Sequence, residues 1–176
     1  MWKTSYRNDM YAGQFKLLRD EHIPFTVHAG VMVGAESIRQ AIEYGAKRVG
    51  HGLRANEDPT LLWVLKENNI VLEMCPTSNV QSRSVSGIRQ HPIKEYFNRG
   101  VKVTVGTDDM TICNTNLKKE YSMLKEYLGF TQKDIYKMNE YAVDGAFMSN
   151  YEKRLLRERL REKIANESVV RAQRQD

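Results

Sequence analysis

Four short apolar runs, at residues 23–27, 48–50, 70–75 and 101–105, each lead into a polar residue, and helical spacing fills the intervals between them. Strands and helices taking turns along a chain build a parallel sheet with helical crossovers, so this alternation constrains the fold more than any other feature. Tyr11, Phe15 and Leu18 recur on one helix face ahead of the first run, and Ile38, Ala41 and Ile42 mark the next helix. Asp58-Pro59 reads as an N-cap followed by proline at the first helical position, opening a helix that carries Leu61, Leu62, Val64 and Leu65. His91-Pro92 starts a short helix closed by Gly100. Leu117, Tyr121, Leu124 and Leu128 line a further helix that Gly129 stops. Thr131 with Asp134 forms a capping-box pattern before Ile135, Met138 and Ala142. Leu156, Leu160 and Ile164 predict a buried stripe on a last helix, and residues 167–176 read as a polar tail that frays.

The chain has 176 residues, enough for one domain with a core but fewer than the roughly 250 that a complete (β/α)8 barrel usually takes. Short connections after each strand suit a barrel segment. An open doubly wound sheet stays possible on periodicity alone, although no glycine-rich phosphate loop supports it. Lysine and arginine exceed aspartate and glutamate by 27 − 22 = 5, yet both signs alternate along the helices and no basic block is interleaved with aromatics. The expectation is a solvated mixed surface with no nucleic-acid partner. No apolar run reaches membrane-spanning length, and residues 1–7 carry no hydrophobic signal core. Cys75 and Cys113 stand far apart without metal-type spacing and predict reduced thiols in a cytoplasmic protein.

His28, His51, Asn79 and the Asp108-Asp109 pair all fall at the carboxyl ends of predicted strands. In parallel α/β architectures several loops converge on that edge and sites are built there. A single strand-end histidine or a pair of loop aspartates is commonly structural; four separate strand ends contributing such groups point to a site. His22 precedes its strand and is expected on the opposite side, and His91 reads as a helix cap.

Several strings carry a more specific signal: Val27-His28-Ala29-Gly30-Val31, Gly50-His51-Gly52-Leu53-Arg54, Leu72-Glu73-Met74-Cys75-Pro76-Thr77-Ser78-Asn79, His91-Pro92-Ile93 and Val105-Gly106-Thr107-Asp108-Asp109. Their content and order resemble the second half of an adenosine deaminase, a zinc-dependent (β/α)8-barrel hydrolase, and the resemblance runs from about residue 11 to residue 164. It implies an α/β fold in which about four parallel βα units form the C-terminal half of a TIM barrel, with added C-terminal helices. Residues 1–166 would be that partial barrel.

The resemblance also implies roles. His28 and Asp108 would be zinc ligands, His51 a base or electrostatic stabiliser beside the metal-bound water, Gly30 and Asp109 contacts to the purine. The implied reaction is hydrolysis of adenosine or deoxyadenosine to the inosine product and ammonia. Two departures stand out. Val31 occupies the position of the glutamate that donates a proton to the purine, a role worth roughly 10² to 10⁴ in rate. The His-x-His pair of the family's first strand has no counterpart, which leaves two of the at least three ligands a catalytic zinc takes. The chain alone is therefore expected to be inactive, and to need a second copy or a complementing N-terminal half. The alternative is a non-catalytic half-barrel acting through self-association or purine binding.

Overall fold

The computed structural model describes residues 8–172. A short 3-10 turn, Asn8–Tyr11, leads into α1 (Ala12–Asp20). There follow β1 (Thr26–Ala29), α2 (Ala35–Glu43), β2 (Arg48–His51), α3 (Leu61–Glu67), β3 (Val71–Met74), α4 (Pro76–Gln81), α5 (Ile93–Asn98) and β4 (Lys102–Val105). Three helices close the chain: α6 (Leu117–Leu128), α7 (Gln132–Gly145) and α8 (Asn150–Ala172). Residues 1–7, with the expected lack of a signal core, and 173–176 of the expected tail lie outside the described residues; α8 itself continues through Asn166 to Ala172.

The four strands are parallel and lie in the order β1-β2-β3-β4. A doubly wound sheet reverses its strand order at a switch point. This order runs in one direction, so right-handed crossovers place α2, α3 and α5 on one face, as in a barrel wall. Val27, Val49, Leu72 and Val103 stand side by side in register and are buried under Ile38, Ala41, Leu61, Leu65, Ile93 and Tyr96. Side chains alternate along a strand, so the other face carries Thr26, His28, Arg48, Glu73 and Thr104, all exposed or half-buried. The Glu73 carboxylate accepts from Thr26 Oγ1 at 2.6 Å and pairs with Arg48 Nε at 3.1 Å. The Arg48 guanidinium also donates to the Gly145 carbonyl and lies 3.9 Å from the Phe147 ring centroid, tying the end of α7 to this face.

The helix ends follow the expected chemistry in two places. Thr131 and Asp134 form a reciprocal capping box at the start of α7, and Gly129 ends α6 in the left-handed conformation at φ 64°. Three expectations need correction. Asp58 is extended and its carboxylate folds onto Thr60, accepting from both the backbone N–H and Oγ1 at 2.9 Å, while also pairing with Arg39. This local turn leaves Pro59 ahead of α3, which begins at Leu61. Asn79, expected at the carboxyl end of a strand, lies within α4, which begins at Pro76. Leu156, Leu160 and Ile164 are half-buried rather than buried, because only one side of α8 meets other elements. Among the described residues no helix is long and apolar enough to cross a membrane.

Candidate active site

His28 sits within β1 and His51 is the last residue of β2; their rings lie 5.1 Å apart, tilted by 60°. Alternation alone would point His51 the same way as Val49, into the helix layer. Its backbone instead adopts φ 63°, a left-handed conformation that costs a non-glycine residue of order 1 to 2 kcal/mol, and the ring swings to the strand-end side beside His28. Asp108, after β4, is also left-handed at φ 55°. Its Oδ2 lies 3.8 Å from His51 Nε2 and accepts from Ser78 Oγ at 2.7 Å. Two strained residues meeting at one place mark a surface built for something other than stability.

Behind His51 runs a buried polar chain. Asn79 Nδ2 lies 3.1 Å from His51 Nδ1, and Asn79 Oδ1 lies 3.1 Å from His91 Nε2. The Ile93 backbone N–H donates to His91 Nδ1 at 3.3 Å, satisfying an orphan donor in the first turn of α5. Burial, then the neighbouring His28 charge, hold the His51 pKa below its ordinary value, against the pull of Asp108 and Asn79. Burial takes His91 further, down to about 4.

A cavity of about 470 Å³ opens beside the two histidines, lined by Tyr11, His28, Gly30, Val31, Met32 and His51 among others. That volume suits a small organic ligand. Val31 contributes an apolar wall, and its carbonyl accepts from Arg54 Nε at 2.8 Å. The Gly30 N–H donates to Ser37 Oγ at 2.9 Å and its carbonyl accepts from the Arg54 N–H at 3.0 Å, so both main-chain groups are engaged within the chain. Its backbone is left-handed at φ 71°, with Ile38 pressed against the space a Cβ would fill. Asp109 is exposed, and its Oδ1 accepts from the Ile112 N–H at 2.8 Å in the turn after β4.

Among the described residues one group could hold a metal ion. His51, Cys75 and Asp108 offer ligand atoms that all lie within 4.8 Å of one another. His28, expected beside Asp108 as a ligand, stands outside that group and is exposed. Burial pushes the Cys75 thiol up to about 12, so a zinc ion would have to displace its proton to bind there, and Asn79 occupies Nδ1 of His51. The sequence reading missed Cys75 and Ser78, since adjacency across three parallel strand ends leaves no local spacing pattern; the run of strand-end polar residues was the available signal.

Known proteins share this fold. The adenosine deaminase of Aliivibrio fischeri is 42% identical over 151 residues, covering 85% of this chain and 45% of that protein, so the chain spans about half the length of the curated relatives it matches. Adenine deaminase from Arthrobacter aurescens superposes with a TM-score of 0.87 at 23% identity, over 92% of this chain and 50% of the other. An amidohydrolase from Burkholderia ambifaria, crystallised with bound zinc, gives a TM-score of 0.87 at 21% identity over 98% and 49%. At such identity the two structures establish the fold: four βα units of a barrel, followed by C-terminal helices. The family's sequence model, described as adenosine deaminase, matches residues 4–163. Matched by that model over nearly its whole length and 42% identical to a curated relative across 85% of its residues, the chain belongs to the adenosine deaminase family.

Proposed function

We propose that the chain is half of a hydrolase that deaminates a purine nucleoside, adenosine or deoxyadenosine, and that by itself it does not turn over. The observation that carries this reading is the meeting of His28, His51 and Asp108 at one strand-end rim beside a ligand-sized cavity. Zinc, when bound in such an enzyme, would supply the hydroxide that attacks the ring. The residues of this chain supply part of the rest. His28 and His51 flank the place where the reacting atoms sit, Ser78 orients the Asp108 carboxylate, and Val31 and Met32 give the purine an apolar wall. Val31 has no proton to give, which removes the general acid.

The chain offers too few metal donors for a working centre, and the missing ones would come from a complementing N-terminal half or a second copy. Adenosine conversion to inosine, followed by absorbance with metal analysis of the same sample, tests this. The expected result is no turnover and substoichiometric zinc, unchanged in Val31→Glu. Ordinary turnover by the isolated chain would refute the proposal. Val31 also favours a second reading, a purine-binding half-barrel without catalysis; retention of adenosine in equilibrium dialysis without conversion would distinguish it.

A further inference from the structure

We infer that Asn79 and His91 are positioning residues that hold His51 as its Nε2–H tautomer, so that the ring faces Asp108 as a hydrogen-bond donor and neither as a base nor as a metal ligand.

The argument starts from the one group in the chain of contacts that has no choice. The Ile93 backbone N–H can only donate, so the His91 Nδ1 it meets at 3.3 Å must carry a lone pair. A neutral imidazole with a bare Nδ1 carries its proton on Nε2. That N–H requires an acceptor, and the amide oxygen of Asn79, 3.1 Å away, is one. The direction of the Asn79 amide is thereby fixed, with its NH2 group toward His51. An amide nitrogen only donates, so His51 Nδ1, also at 3.1 Å, carries a lone pair and His51 Nε2 carries the hydrogen.

Reversing any link would set two donors or two acceptors face to face. Asn79, His91 and His51 are 1%, 3% and 6% exposed, which leaves water little access to repair such a clash. Burial also keeps His91 neutral through the physiological range. The direction set at the first turn of α5 is thus transmitted through two side chains to the strand-end rim.

The hydrogen on His51 Nε2 points into the gap of 3.8 Å before Asp108 Oδ2, too long for a direct hydrogen bond. An oxygen atom entering from the side can take that hydrogen while Asp108 accepts its own. The His51 nitrogen that faces Asp108 therefore presents a hydrogen and not a lone pair. Of the two roles the family resemblance implies for His51, base or electrostatic stabiliser, the geometry selects the second. That meaning for deamination rests on the proposed function; the tautomer itself rests on the hydrogen-bond chain alone.

The test is long-range proton–nitrogen correlation spectroscopy on the whole chain, labelled with 15N at histidine, above the histidine titration range. Bare and protonated ring nitrogens separate in such spectra. The expected result is the Nε2–H pattern for both His51 and His91. Asn79→Asp places a carboxylate that accepts from both neighbours, so His51 is expected to switch to the Nδ1–H pattern while His91 keeps its own. If Asn79→Asp does not fold, the wild-type pattern of His51 decides alone. An Nδ1–H pattern for His51 in the wild-type chain overturns the inference, as does a folded Asn79→Asp in which His51 does not change. No substrate is involved, so absence of turnover leaves the inference standing; turnover in an assembly whose His51 carries Nδ1–H would overturn it and leave the deaminase reading intact.

Discussion

Acidification should destabilise this protein through His91. In the native state the ring is 3% exposed, its Nδ1 accepts from the Ile93 N–H and its Nε2–H donates to Asn79 Oδ1. A second ring proton would sit on Nδ1, facing another donor, inside a region too buried to hydrate it. The native pKa accordingly falls from 6.5 to about 4. In the unfolded chain the same ring protonates near its ordinary value. Between these two values the unfolded state binds more protons, and stability falls as pH falls. The contribution is fully present above about 6.5, erodes down to about 4, and is constant below. The difference corresponds to about 3 kcal/mol, with a slope of at most about 1.4 kcal/mol per pH unit. Against a total stability of roughly 5–15 kcal/mol for a domain, that is a large share. His51, also lowered by burial, acts in the same direction.

Urea unfolding midpoints across that interval, for the wild type and His91→Asn, read the effect directly. Asparagine keeps an acceptor near the Ile93 N–H but does not titrate, so carboxylates and other histidines cancel in the comparison. The variant should be less stable at neutral pH and lose less on acidification. Parallel decline of the two proteins would refute the reasoning.

Two further outcomes are expected from unfolding measurements on single variants. Gly129→Ala, left-handed at φ 64° with nothing within 4 Å of the new Cβ, should cost only the backbone preference, about 1 kcal/mol, while Gly30→Ala adds a Cβ 2.5 Å from the buried Ile38 Cδ1 and should cost about 3 kcal/mol; equal losses would contradict the packing argument. Glu120 is fully buried and accepts from the Thr77 N–H at 3.2 Å and the Thr115 hydroxyl at 2.6 Å, so Glu120→Ala should lose about 3 kcal/mol by stranding both donors, and a loss below about 1 kcal/mol would show that they find other partners.

Much of this arrangement was legible in the residues. The apolar runs located all four strands, and the polar residues ending them located the rim where His28, His51 and Asp108 stand. The family strings then settled barrel against open sheet, which periodicity left undecided. What escaped was tertiary. Val49 and His51 share a strand face by alternation, and only the left-handed backbone at His51 turns its ring to the rim. His91 was expected to cap a helix; the N-cap of α5 is Pro92, while His91 Nδ1 accepts from the Ile93 N–H and its second ring nitrogen meets Asn79, 12 positions earlier on α4. Cys75 joins His51 and Asp108 because three strands lie side by side, an adjacency that spacing rules for local motifs cannot express. Asp58 failed as a helix cap because its carboxylate had nearer partners in Thr60 and Arg39.

The sheet has two outer strands, β1 and β4, each of four residues and each paired on one side only among the described residues. A visiting strand laid along either margin gains a few main-chain hydrogen bonds, each worth about 1 kcal/mol net. A micromolar complex requires about 8 kcal/mol, so a single seam is a transient foothold. Lasting assembly needs one visitor to grip both margins together, because the second seam then closes within an existing complex instead of from dilute solution. Ring closure would turn two weak zippers into one durable joint.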